Sequence, residues 1–160
     1  AEAMTMSDRV AVMMAGELLQ IAEPEQLYAD PDDLRVAEMI GSPQINAIPV
    51  AALSRQQCLA WRLSPDVATI AFRPESATIT QAVEVTLNGV VSSSEHLGAD
   101  IFVHVRLAGD AGTVVVRTDR GSPRHAVGAE VGVSVGGRHM LRFDASKKRC
   151  RHREAEAVVA

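Results

Sequence analysis

The sequence is short of aromatic residues, paired cysteines and long apolar runs. Only 3% of its 160 residues are aromatic, against 24 alanines and 20 valines. Small and β-branched side chains favour thin, valine-rich sheets over a large aromatic core. Cys58 and Cys150 lack the spacing of a zinc site or a disulfide framework, so free thiols in a reducing compartment are expected. No apolar run approaches the length of a membrane span.

Catalytic and nucleotide-binding motifs are also missing. Residues 132–139 resemble a phosphate loop, but an arginine and a histidine replace the lysine and the hydroxyl residue that hold phosphate and Mg²⁺. Val131, Val133 and Val135 alternate there as in a strand. His104 is expected to be a single imidazole hydrogen-bonded in or beside the core, not a metal ligand. The residues therefore indicate no catalytic, cofactor-binding or metal-binding site.

Positive charge is concentrated near one end of the chain. The net charge is −4, but residues 1–146 hold 11 basic and 18 acidic side chains, a charge of −7. An acidic body gives little reason to bind nucleic acid. The basic residues 147–160 are interpreted as a solvated, frayed tail. Asp30, Asp32 and Asp33 fit helix capping rather than an active site.

Hydrophobic patterning predicts a hairpin and two short helices in the first part of the chain. Residues 9–22 are expected to form the hairpin, closed by a three-residue loop that contains a glycine. One helix is expected from Pro24 through Tyr28, because proline is favoured in the first helical turn. The second is expected to have Asp30 as N-cap and Gly41 as a left-handed stop.

From about residue 44 the pattern changes to the alternation of strands. The predicted strands lie at residues 67–72, 83–90, 101–106, 113–117, 131–135 and 140–143. Short strands separated by Gly- or Pro-bearing turns indicate a small barrel or sandwich, and the OB-type barrel is its best-known compact form. The predicted fold class is mainly β, an OB-like barrel preceded by a β-hairpin and two short helices.

Several segments of the sequence follow one another in a recognisable order. They are residues 2–13, 15–16, 20–21, 24–28, 31, 36–37, 40–43 and 46, the Arg-Pro-Glu motif at 73–75, the Glu-x-Leu-Gly segment at 95–105, and residues 138–144. In this order they resemble the end of the ATPase subunit of carbohydrate ABC importers. Ordered matches at the right intervals are harder to obtain by chance than any single motif. The sequence departs from the family at Ala71, at Arg142, and in the turn 145–148, which lacks the usual glycine.

The resemblance implies three parts. These are the end of a nucleotide-binding domain over residues 1–43, an OB-type regulatory domain over 44–146 and a basic tail over 147–160. It also implies that the phosphate loop, the catalytic glutamate and the switch-loop histidine precede Ala1. ATP and Mg²⁺ would then bind elsewhere in the parent protein, and this part would not be an enzyme.

The resemblance further implies partners, a location and candidate residues. The expected partners are a second copy in a homodimer, permease subunits and a regulatory protein, with no nucleic acid, on the cytoplasmic face of the membrane. The candidate residues are Gly41, Ser42 and Pro43 at a hinge, and Arg73, Pro74, Glu75, Glu95, Leu97, Gly98 and Arg138 in the barrel motifs. Gly98 is expected to be a turn glycine, and Arg73 to pair locally with Glu75.

Two other functions stay open. A small-oxyanion-binding module would need converging backbone N–H groups or arginines at a subunit interface. An OB-type nucleic-acid binder would use the basic tail, although the scarcity of aromatic rings disfavours base stacking.

Overall fold

The structure, a computed structural model, describes residues 8–151. Its elements are β1 (Val10–Met14), β2 (Glu17–Ala22), α1 (Pro24–Ala29), α2 (Leu34–Met39), β3 (Asn46–Pro49), α3 (Arg55–Ala60), β4 (Val67–Phe72), β5 (Ala77–Thr80), β6 (Leu87–Leu97), β7 (Asp100–Leu107), β8 (Thr113–Asp119), β9 (Glu130–Val135) and β10 (Leu141–Asp144). Single turns of 3₁₀ helix lie at Val50–Ala52, Pro74–Ser76 and Gly137–His139. The mainly β prediction is confirmed. Within the described range, no helix has the length and apolarity that crossing a membrane requires.

The first hairpin has a two-residue turn, so the predicted three-residue loop is wrong. β1 and β2 pair antiparallel with Met14 opposite Glu17, which leaves only Ala15 and Gly16 in the turn. Both have positive φ, 49° and 80°. A type I′ turn requires positive φ at both central residues, and its twist matches that of the flanking strands.

The two helices are confirmed, but the second begins later than predicted. α1 begins at Pro24, as expected. The N-cap of α2 is Asp33, whose carboxylate accepts a hydrogen bond from the backbone N–H of Arg35 at 2.9 Å. Asp30 lies before this N-cap, and its carboxylate pairs with Arg149 and Arg151. Gly41 follows the helix at a φ of 103°, the positive φ that a left-handed stop needs.

The ten strands within residues 8–151 form three sheets. In the first, β1 lies beside β2, and the strand orders of the second and third are β10-β4-β3 and β5-β9-β6-β7-β8. The edge strands β5 and β8 contact one another, so the third sheet curls into a partly open barrel. The main core lies between the barrel and the three-stranded sheet. It includes Ile48, Ile70, Phe72, Val91, Val103, Val105, Val114, Val116, Val133 and Met140.

The sequence pattern misplaces one strand and misses three elements. The strand predicted from residue 83 begins at Leu87, because the hydroxyl of Thr86 holds a turn by hydrogen bonds to the N–H and the C=O of Val83 at 3.0 and 2.9 Å. The missed elements are β3, β5 and α3. The signal for α3 was the capping box of Ser54 and Gln57, a pairing that marks a helix start.

Asn46 of β3 joins the three-stranded sheet to the barrel. Its buried side-chain amide donates to the carbonyl of Val115 and accepts from the N–H of Val115, both at 2.8 Å. The amide therefore satisfies both backbone groups of Val115 on the outer edge of β8, where a neighbouring strand would otherwise form these hydrogen bonds.

Candidate functional site

The helices and the barrel region meet in a joint that begins with an apolar layer. The layer consists of Leu34, Ala37, Ile45, Ala71, Leu141 and Phe143. It combines side chains from α2, β4 and β10, so it spans the two parts that the sequence pattern separates near residue 44. Ala71, one of the departures from the family pattern, is completely buried in this layer.

Arg73 crosses from the end of β4 into the helical part and is 5% exposed. Its Nη1 donates to the carbonyls of Ala37 and Ile40 at 3.1 and 2.5 Å. Its Nη2 donates to the carbonyl of Tyr28 at 3.0 Å. These carbonyls lie at the ends of α1 and α2, where helices leave acceptors without intrahelical donors. The guanidinium therefore caps both helices at the ends where the helix dipole favours positive charge.

The side chain of Tyr28 completes the surroundings of this guanidinium. Arg73 Cζ lies 4.2 Å from the centroid of the ring, a cation–π arrangement. The hydroxyl of Tyr28 donates to Glu75 Oε1. Burial, followed by this hydrogen bond, raises the pKa of Tyr28 to about 12. Arg73 and Glu75 each form hydrogen bonds with the helical part, and within residues 8–151 no direct ion pair joins them. Burial lowers the pKa of Arg73, and the nearby charge of Glu75 partly offsets this effect.

Gly41 leaves the space that the guanidinium occupies. A Cβ at this position would lie 3.0 Å from Arg73 Nη1 and 3.1 Å from Tyr28 Cε2. The positive φ of Gly41 is a second reason for glycine, since other residues rarely adopt it. The structure thus brings together three of the candidate residues, Gly41, Arg73 and Glu75, and adds Tyr28. We call these four residues the Arg73 joint.

The candidates Glu95, Leu97 and Gly98 lie in a separate place, the β6–β7 hairpin. Gly98 has a φ of 63° in the turn, as predicted for a turn glycine. Glu95 Oε1 lies 3.7 Å from Nε2 of His104. Within residues 8–151 this Nε2 has no hydrogen-bond partner, so the hydrogen-bonded imidazole predicted for His104 is not found at that atom.

The other candidates are spread along the chain. Ser42 and Pro43, joined by a cis peptide bond, follow Gly41. Pro74 begins the 3₁₀ helix after β4, and Arg138 is exposed in the one after β9. The regulatory roles assigned to the candidate residues stay predictions.

A second connection between the two parts is made by residues 147–151, which we call the C-terminal strap. Isolated β-bridges attach it to β10 and to the residue before α2. Its ion pairs are Lys148 Nζ with Asp33 Oδ2 at 2.8 Å, Arg149 Nε with Asp30 Oδ1 at 3.4 Å, and Arg151 Nη2 with Asp30 Oδ2 and Asp32 Oδ1 at 3.1 and 2.5 Å. The predicted frayed tail is therefore wrong for these residues, while residues 152–160 lie outside the described range.

Asp33 is the buried centre of the strap contacts, with no exposed surface. Burial alone would raise the pKa of its carboxyl, but hydrogen bonds from Arg35 and Lys148 outweigh burial and hold the pKa well below its usual range. Asp30 and Asp32 pair with strap arginines instead of capping a helix. Capping therefore explains only Asp33 among the three acids.

The remaining departures from the family pattern also have partners in the structure. Arg142 is half-buried, and its Nη2 donates to the carbonyl of Trp61 at 3.2 Å. In the turn after β10, Lys147 takes a φ of 65°, the conformation a glycine would adopt there. Asp144 Oδ1 supports this turn by accepting two backbone hydrogen bonds from it.

Residues 8–151 contain no group of three or more His, Cys, Asp or Glu side chains that could hold a metal ion. Both cysteines are free thiols. In the joint, one buried side chain that follows β4, that of Arg73, forms hydrogen bonds with the ends of both helices.

A family model described as the TOBE domain matches residues 70–143, from within β4 to within β10. Residues 70–143 are a TOBE domain. The match includes the two barrel-side residues of the joint, Arg73 and Glu75.

Curated relatives extend the similarity to nearly the whole chain. The chain is 34% identical over 152 residues to the sn-glycerol-3-phosphate import ATP-binding protein of Rhizobium johnstonii, covering 92% of this chain and 43% of the relative. It is 29% identical to the lactose transport ATP-binding protein of Rhizobium radiobacter, covering 94% and 46%. It is 33% identical to the maltose/maltodextrin import ATP-binding protein of Photorhabdus laumondii, covering 66% and 33%. The resemblance to ATPase subunits of carbohydrate importers is confirmed, and this chain spans less than half the length of these relatives.

Among solved structures, the cytoplasmic molybdate-binding protein ModG aligns with this chain at a TM-score of 0.44 and 11% identity. The alignment covers 64% of this chain and 96% of that protein.

Gly41→Ala is expected to lower the free energy of unfolding by about 2 kcal/mol, because it combines backbone strain with close contacts to Arg73 and Tyr28. Gly98→Ala is the matched control, since Gly98 has positive φ but nothing within 4 Å of a Cβ. It should cost about 1 kcal/mol. Urea unfolding measures both, and equal losses would contradict the packing assigned to Gly41.

Arg73→Lys is expected to lower the free energy of unfolding by roughly 3 kcal/mol. Lysine lacks the planar fork that reaches three carbonyls on two helices. Arg120→Ala, at an exposed turn position, should change stability by less than about 0.5 kcal/mol. The same urea titration decides, and an unchanged midpoint for Arg73→Lys would rule out the capping role.

The strap predicts a defined acid sensitivity. The pKa of Asp33 is lower in the folded state than in the unfolded state. The ionised carboxylate therefore adds to the free energy of unfolding above about pH 4, and this stabilisation is lost as the pH falls below that value. Asp33→Asn should reduce the loss of stability between about pH 4 and pH 2. Asp110→Asn, a variant in an exposed loop, should show the same loss of stability over this pH range as the unaltered chain. Thermal unfolding across this range tests the assignment, which fails if Asp33→Asn retains the full acid sensitivity.

Proposed function

We propose that this chain is the C-terminal part of the ATP-binding subunit of a carbohydrate importer and serves as its regulatory and dimerisation part. In this proposal, ATP and Mg²⁺ bind in the nucleotide-binding domain of the parent protein, and this part performs no catalysis itself. The partners are a second copy of the subunit, permease subunits that contact the nucleotide-binding domain, and a regulatory protein. The complex lies at the cytoplasmic face of the membrane, without nucleic acid.

The observation that carries the proposal is the buried connection between the TOBE domain and the preceding helices. Domains joined by small polar interfaces move independently by default. Here Arg73 caps both helices, and the C-terminal strap binds the loop between them. A displacement of the helices therefore moves the barrel as well. Such a connection suits a regulatory domain, because a partner that prefers one geometry of the barrel shifts the equilibrium of the helices by its differential affinity.

The two alternatives find less support. The basic side chains of the strap are already paired with Asp30, Asp32 and Asp33, which leaves them less charge for a nucleic-acid backbone. On the barrel, Arg117 is engaged by Asp100 at 2.9 Å in a cleft that is lined by three carboxylates. An oxyanion would meet repulsion there.

Sedimentation equilibrium of the purified chain tests the dimerisation part of the proposal. The expected result is a reversible dimer of twice the 17.1 kDa of the chain, with no detectable ATP hydrolysis. A monomer at every concentration would contradict dimerisation by this part alone. Hydrolysis would contradict the assignment of the ATP site to the preceding domain.

A chimera tests the regulatory part. The chain would replace the matching C-terminal part of the Photorhabdus maltose/maltodextrin import ATP-binding protein, and maltose uptake would be measured in cells. Uptake should persist with the unaltered chain and with Arg120→Ala, and should fall with Arg73→Lys. Equal uptake by the Arg73→Lys chimera at equal protein level would show that the joint has no role in transport.

A further inference from the structure

The C-terminal strap lies between β10 and the loop before α2, with backbone hydrogen bonds on both of its sides. On the helical side, the N–H of Leu34 donates to the carbonyl of Lys147 at 2.9 Å. The N–H of Arg149 donates to the carbonyl of Asp32 at 3.0 Å. These two bonds flank an antiparallel β-bridge. The strap therefore pairs with the loop before α2 as a short strand.

On its other side the strap forms a hairpin with β10. The N–H of Asp144 donates to the carbonyl of Lys148 at 2.9 Å, and the N–H of Cys150 donates to the carbonyl of Arg142 at 2.8 Å. An exposed turn, residues 145–147, joins β10 to the strap. Within residues 8–151, this turn is the only covalent connection between the strap and the rest of the chain.

The turn is strained at Lys147, which has a φ of 65°. In this left-handed conformation the Cβ lies too close to the following carbonyl oxygen, so residues other than glycine adopt it at a cost. Opening the turn removes the strain. It also breaks three hydrogen bonds that Asp144 accepts within the turn, and water replaces these because the turn is exposed. A short connection under strain favours exchange of the attached segment between copies.

We propose that two copies of this chain exchange their straps. The turn opens in each copy, and each strap takes the position between β10 and the loop before α2 of the other copy. The two copies have the same sequence, so every backbone hydrogen bond and ion pair outside the turn forms again across the dimer. Exchange of an identical element is a low-cost route to a dimer. The inference rests on the dimerisation proposed above and names the segment that performs it.

Asp33 explains why an opened copy takes up another strap. Its carboxylate is buried and binds both Arg35 and Lys148. Removing one partner of a buried ion pair is strongly destabilising, so a copy with an empty strap position is unfavourable. The strap of a second opened copy brings the same lysine to the same carboxylate. The closed monomer and the exchanged dimer are therefore both favoured over open single copies.

Isotope labelling tests the exchange without any substitution. One sample of the full chain carries ¹⁵N and a second carries ¹³C, and the two are unfolded together in urea and refolded at a concentration where the dimer forms. The expected result is a nuclear Overhauser effect between the amide proton of Leu34 in one copy and the α proton of Lys148 in the other. The control is the pairing of Val10 with Ala22 in the first hairpin, which should give no such effect between copies.

The outcomes separate this inference from the function proposed above. A dimer that lacks the contact of Leu34 with Lys148 between copies would overturn the exchange and leave dimerisation intact. A monomer at every concentration would overturn both.

Two variants at one position test the role of the turn. Lys147→Gly removes the strain of the closed turn and should lower the association constant of the dimer roughly tenfold. Lys147→Ala is the matched control, because it removes the same charge but keeps a Cβ at positive φ, and it should leave the association constant unchanged. Sedimentation equilibrium measures both variants. Equal association constants for the two would refute exchange through this turn.

Discussion

The arrangement of helices and barrel depends on one buried charge, the guanidinium of Arg73. Removing an ionised group from water costs several kcal/mol, and the cost is offset only where good acceptors surround it. Here the acceptors are carbonyls of Tyr28, Ala37 and Ile40, which the two helices leave without partners at their ends. Because Gly41 has no side chain, the guanidinium can approach the end of α2. The carbonyls at the helix ends therefore stabilise the buried charge of Arg73, and the absence of a side chain at Gly41 lets the guanidinium reach them.

The strap adds a second electrostatic connection, but its ion pairs differ in how much they stabilise the fold. The pairs of Arg151 with Asp30 and Asp32 are about half exposed, and such pairs contribute between zero and about 1 kcal/mol each. Asp33 is different, since its buried carboxylate binds two cations and also begins α2. The strap therefore depends mainly on Asp33, and together with the apolar layer it makes the TOBE domain and the preceding helices one unit.

Local signals in the sequence predict the elements, and long-range contacts explain the failures. Alternation located β4 and β7 to β10, and Pro24 and Gly41 located the ends of the helical part. β3, β5 and β10 are four residues each. So short a strand gives alternation little length to register, and the pattern located only β10 of the three. The sequence predicts a tail for the basic run because the acidic partners of the run, around Asp33, lie more than a hundred positions away. The resemblance selected Gly41, Arg73 and Glu75 separately, but nothing local showed that they meet at Tyr28.

The central claim is that the helices and the barrel form one cooperative unit, and native-state hydrogen exchange tests it most directly. The account predicts that the slowest amides of α2 and of β4 open with the same free energy, equal to that of global unfolding. In Arg73→Ala, α2 should open at a lower free energy than β4. Amides of α2 that open well below those of β4 in the unaltered chain would contradict the account, because the two parts would then separate without breaking the Arg73 joint.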